Sequence, residues 1–108
     1  MKLVRKHIKL LKILCDRPNK DLREAIIKNP NVLKALTEIC YNVLRGNVKL
    51  SPPATAQLQR YKKTLRQLAS RKTTCTHKRH LINQCGGGAF LPLILGPVIS
   101  MLAGSLLK

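Results

Sequence analysis

Carboxylates are scarce in this chain, and their positions matter. Asp16, Asp21, Glu24 and Glu38 are the only acids, and none follows Glu38 in the 108 residues. Acid–base catalysis by paired carboxylates is therefore excluded from everything after it. So is internal neutralisation of that stretch, unless it folds back on the first. Lys and Arg number 21, for a net charge of +17. Self-repulsion at that density opposes compaction, and an acidic partner relieves it: a nucleic acid or an anionic membrane surface. Aromatics are nearly as rare, at 3% with no Trp. Only Tyr61 could stack on a base within the basic region, so the aromatic platforms of single-strand binders are missing. A chain this short makes one small domain with tails, which leaves little room for a large enzyme-like cleft. No Cys sits beside a base and an orienting group in a way that suggests a nucleophile. No enzyme, cofactor or small-molecule substrate is expected.

A separate basic region followed by an unbroken apolar one is also lacking at the start, so no secretory signal is expected. "MKLVRKHIKLLKILC" interleaves the two kinds of residue instead. At 100° per residue Leu3, Val4, Ile8, Leu10, Leu11 and Leu14 fall on one side, and Lys2, Arg5, Lys6, Lys9 and Lys12 on the other, with Ile13 out of pattern. The apolar stripe predicts a helix packed on a core, or one lying on a membrane. "RPNKDLREAIIKNP" predicts a short helix capped by Asn19, with Asp21 and Glu24 in its first turn and a stop before Pro30. "NPNVLKALTEICYNVLRGN" predicts a third, with Asn29 as cap, Pro30 at the first helical position and Gly46 in the left-handed terminal position. Val32, Leu33, Leu36, Ile39, Cys40, Val43 and Leu44 share its apolar face. Three such helices make a small bundle.

"PPATAQLQRYKKTLRQLASRK" predicts a fourth helix capped by Ser51, with a seam of Leu58, Tyr61, Leu65 and Leu68. Arg60, Lys63, Arg66 and Arg71 point away from the seam, and Lys62 lies at its edge. A face with these cations and no anion suits phosphates, through counterion release and without a sequence code. Lys72, Lys78 and Arg79 continue the charge into what reads as a basic linker. Cys15 and Cys40 read as packing thiols on apolar helix faces. Cys75, His77, His80 and Cys85 contain the residue types of a Cys2His2 zinc site. The knuckle spacings are missing, and Lys78 and Arg79 would repel a cation, so no metal is expected. A Cys75–Cys85 disulfide is the alternative in an oxidising compartment.

Behind three glycines comes the most apolar segment. Residues 89–107 carry no charged side chain, close to the ~20 residues of a spanning helix. Pro92 and Pro97 interrupt it. The stretch after Pro97 would reach about 16 Å as helix, short of a ~30 Å bilayer core. Being apolar on every face, it should bury itself in lipid, in a partner's groove or in copies of itself, with Gly86–Gly88 as a hinge. The rival expectation is that it packs back as a missing layer of the bundle.

A basic region running into "GGGAFLPLILGPVI" resembles the precursor of the small basic core protein mu of adenoviruses. With "KKTLRQLA" before the glycines, it is still more similar to counterparts in the adenovirus-like mobile viruses of animals, the Polintons and adintoviruses. The similarity covers about Leu58 to Leu107. It implies genome binding by Arg60, Lys62, Lys63, Arg66, Arg71, Lys72, Lys78 and Arg79. It also implies a capsid- or membrane-directed tail of Phe90, Leu91, Pro92, Leu93, Ile94, Leu95, Pro97, Val98 and Ile99. A virion-core location, and the host nucleus during assembly, follow from the same likeness.

The expectation is thus an all-α protein with a three- or four-helix bundle, divided into a helical body (1–50), a basic helix and linker (51–85), and a hinged apolar tail (86–108). Its expected function is sequence-independent neutralisation of packaged double-stranded DNA. Two alternatives stand beside it. One is a membrane-active cationic protein, and the other a helical regulator using a helix-turn-helix within "NKDLREAIIKNPNVLKALTEICYNVL", although Lys34 and Arg45 are few cations for groove entry.

Overall fold

Helix starts are set by short polar side chains. In a computed structural model, which describes residues 2–16, 19–84 and 90–106 with side chains as far as Leu102, Asn19 Oδ1 accepts from the Leu22 amide at 3.0 Å and opens α3, Lys20–Ile27. Asn29 does the same for Asn31 at 2.9 Å and opens α4, Pro30–Leu44. Ser51 Oγ accepts from Ala54 and opens α5, Pro52–Leu58. Each cap satisfies an amide that the first turn leaves without a partner. At the other end of α4 the Gly46 amide donates to Val43 and the Asn47 amide to Asn42. That double closure places Gly46 at φ +75°, where a side chain is strained.

The expected first helix is present in two pieces, α1 (Lys2–Lys6) and α2 (Ile8–Asp16). Backbone bonds from His7 to Leu3 and from Leu11 to His7 carry the turn across the break. Val4, Leu11 and Leu14 are buried, while Lys2, Arg5, Lys6, Lys9 and Lys12 are exposed. The basic helix is also divided: α5 passes through a 3-10 turn, Gln59–Tyr61, into α6, Lys62–Ala69.

Two segments depart from expectation. The linker is a helix, α7 (Cys75–Gln84), because Thr74 caps it: its hydroxyl accepts from the His77 amide at 3.1 Å. Leu81 and Ile82 then anchor it in the core. The apolar tail is a helix as well, α8 (Phe90–Leu106), continuous through Pro97. Phe90, Leu91, Ile94, Leu95, Val98 and Leu102 are each at most 3% exposed. Their spacing places them on one face, and that face packs against α2 and α4. The separable tail therefore gives way to the rival expectation, a missing layer of the bundle. The reason is that α2 and α4 have apolar faces that the shorter helices leave uncovered. Pro92 lies in the first turn, where its absent N–H costs no helical bond. Pro97 does remove one, at roughly 3 kcal/mol, against roughly 1.5–3 kcal/mol for each large side chain buried. Gly86–Gly88 and Cys85 lie outside the described residues.

α4 is the axis of the molecule and packs against α1, α3, α6, α7 and α8. One apolar core joins all of these, including Tyr61, whose ring lies 5.1 Å from that of Phe90 at 52°. The described helices form an all-α bundle, with no strand among the described residues. Its radius of gyration, 12.7 Å, matches the roughly 13 Å of a compact chain of this length.

Candidate nucleic-acid interface

Burying the seam of α5 and α6 turns their cations outward. Leu58, Leu65 and Leu68 are buried and Tyr61 half-buried, with α6 lying along α4. Arg60, Lys62, Lys63 and Arg66 are all exposed, as are Arg71 and Lys72 in the turn that follows. Lys62 and Arg66 are four positions apart, Lys63 and Arg66 three, so these cations are neighbours on one helical surface. No carboxylate follows Glu38 in sequence, so none stands between them along the chain. A second exposed set, Lys2, Arg5, Lys6, Lys9 and Lys12, lies on α1 and α2. Such surfaces bind phosphate through long-range attraction and counterion release.

Lys78 and Arg79 do not belong to this surface. Lys78 is only 6% exposed, and its Nζ donates to Thr37 Oγ1 at 2.6 Å. That hydroxyl in turn donates to the Leu33 carbonyl at 2.9 Å. Burial holds the Lys78 ammonium below its ordinary value, with the neighbouring thiols of Cys75 and Cys40 acting in the opposite direction. Arg79 Nε donates to the Ile27 carbonyl at 3.2 Å, supplying a cation to the C-terminal end of α3, where exposed carbonyls and the helix dipole favour it. Both residues join α7 to the bundle. The distances that show this, from Lys78 to Thr37 and from Arg79 to Ile27, span 41 and 52 positions, so no local pattern carries them.

The thiols divide by burial. Cys40 is fully buried, and desolvation raises its thiol to about 12. Cys15 is half-buried and also raised, first by burial and then by Asp16. Cys75, His77 and His80 are exposed on α7. Cys75 and His77 lie about 200° apart around that helix and diverge. Among the described residues no three metal-ligating side chains cluster, and Cys85 lies outside them.

The helix-turn-helix alternative fares poorly on packing. α4 would be the recognition helix, yet Val32, Leu33, Ala35, Leu36, Ile39 and Cys40 are buried and five helices cover it. Tyr41 and Arg45 are exposed, with the guanidinium 5.4 Å over the ring, but this pair alone makes no groove-reading surface. The membrane alternative loses its two apolar surfaces to the core, and among the described residues no helix is long and apolar enough to cross a membrane. Comparison with family models, with curated proteins and with solved structures returns no match.

Proposed function

We propose that this protein binds double-stranded nucleic acid, foremost DNA, through its phosphates and without reading sequence. The observation that carries this is the exposed set Arg60, Lys62, Lys63, Arg66, Arg71 and Lys72, which follows a buried Leu58–Leu65–Leu68 seam with no carboxylate between its members in sequence. Backbone-directed binding needs charge at helical spacing and no base-stacking platform. The resemblance to the small basic core proteins of adenovirus-like viruses supports a role in neutralising a packaged genome, in a virion core assembled in the host nucleus. Capsid proteins remain partners suited to the exposed surface rather than to α8, whose apolar face is in the core.

The test is the salt dependence of binding to duplex DNA. With about five phosphates neutralised, log K against log salt should slope about −4 to −5. Replacing Arg60, Lys63 and Arg66 together by Gln should leave helicity intact, because Gln is a good helix former, and lower the slope by up to about three units. An unchanged slope would move the interface to α1 and α2. A preference beyond about a hundredfold for one duplex sequence over random DNA would overturn the reading, because the proposed interface has no base-reading element among the described residues.

A further inference from the structure

Between α1, α4 and the turn joining α6 to α7 lies an open groove of about 860 Å³, within the range of small-molecule sites. Three elements each bring a cation to it: Lys34 from α4, Arg71 from the turn and Lys78 from α7, against one carboxylate, Glu38. Lys34 and Arg71 are exposed, whereas Lys78 is 6% exposed and is fixed by its bond to Thr37. A buried ammonium on the wall of a cavity is costly without an opposite charge, and this one has two further N–H donors beyond the one used on Thr37. The start of α7 reaches the same groove through Thr73 and Cys75, and its first turn has no acid. Beside the cations, Tyr41 offers a ring and Leu3 and Ala69 apolar surface.

We infer that this groove is a binding site for a small phosphate monoester with a planar or apolar body, of the size of a mononucleotide, with its phosphate among Lys78, Arg71 and Lys34 and its body against Tyr41 and Leu3. A bound dianion would stabilise the Lys78 ammonium against the burial that holds it below its ordinary value. A monoester of this size suits the mixed lining better than inorganic phosphate does, because the apolar side would otherwise stay wet. The site is distinct from the duplex surface apart from Arg71, which borders both.

Titration calorimetry of the full chain with adenosine 5′-monophosphate and with inorganic phosphate tests it. The expected result is one saturable site for the nucleotide, at least about tenfold tighter than inorganic phosphate. Lys78→Met and, separately, the surface change Lys34→Gln should each weaken it by about tenfold or more. Arg60→Gln should leave nucleotide binding unchanged while lowering the salt slope of duplex binding, so that the two sites fail or succeed independently. Equal affinity for phosphate and nucleotide, weakening by Arg60→Gln as large as that by Lys34→Gln, or several equivalent weak sites would overturn the inference. Lys34→Gln keeps the test decisive if Lys78→Met fails to fold.

Discussion

Lys72 and Lys78 carry the same charge a few residues apart, and burial gives them different roles. Lys72 is solvated and free to meet phosphate, whereas Lys78 is desolvated and bound to Thr37. Because burial holds the Lys78 ammonium below its ordinary value of 10.5, the folded chain releases a proton at a pH where the unfolded chain still binds it. The unfolded state binds more protons across the window from the lowered value up to about 10.5, so stability rises with pH there; below the window both states are charged and the penalty on the fold is constant. Lys78→Met removes this dependence. Urea unfolding followed from pH 7 up to pH 10.5 should show the wild type gaining stability relative to Lys78→Met toward the top of that range, and a difference that stays constant throughout would refute the buried-ammonium account. Arg79 is tested differently. Arg79→Met should cost about 1 kcal/mol, the scale of one hydrogen bond to a buried carbonyl, with no change in the salt slope of DNA binding. A reduced slope would return Arg79 to the phosphate surface.

At the level of the element, three helix starts were legible because a side chain caps its own helix beside a helical proline or an acidic first turn. Asn19, Asn29 with Pro30, and Ser51 with Pro52 all mark starts in the sequence and make the bonds their positions imply. Gly46 marks the end of α4 for an equally local reason. Nothing lies within 4 Å of a Cβ built there, yet φ is +75°, so Gly46→Ala should destabilise by about 1–2 kcal/mol through backbone strain alone. A thermal shift well below the roughly 4–8 °C that 1 kcal/mol produces in a small domain would show that the turn relaxes. α7 was illegible because its cap, Thr74, stands in a run of polar and basic residues, and because one position of its inner face is Lys78 rather than an apolar residue. A buried lysine reads as a solvated one until its partner is known, and the partner is 41 positions away. The outward-facing cations of the segment 60–66 were legible, since an apolar seam at three- and four-residue steps already fixes which side chains face out, whereas the same charge at Lys78 and Arg79 was misplaced.

For the whole molecule the decisive question is where α8 belongs, and no local feature answers it. Its glycines and prolines suggest separation, and its all-round apolar surface suggests a partner outside the bundle. Whether the bundle itself has a vacant face depends on how much of α2 and α4 the other helices cover, which is a property of the packed whole. The answer has an energetic consequence. Phe90, Leu91, Ile94, Leu95, Val98 and Leu102 are buried, and at roughly 1.5–3 kcal/mol each their contribution is on the order of the entire stability of a domain this size, roughly 5–15 kcal/mol. Truncation after Gly88 should therefore abolish cooperative unfolding and, by exposing the faces of α2 and α4, promote aggregation. A milder variant separates loss of a layer from loss of a chain end. Ile94→Ala leaves a cavity in the same layer and should cost about 2–5 kcal/mol, read as a lower urea midpoint at unchanged slope. Met101→Ala, at a position 43% exposed on the same helix, should cost well under 1 kcal/mol. If truncated protein instead unfolds cooperatively at the wild-type temperature and Ile94→Ala is neutral, α8 is an appendage and the bundle is complete without it. If both are strongly destabilised and Met101→Ala is not, the most apolar segment of the chain is the layer that lets so cationic a protein fold at all.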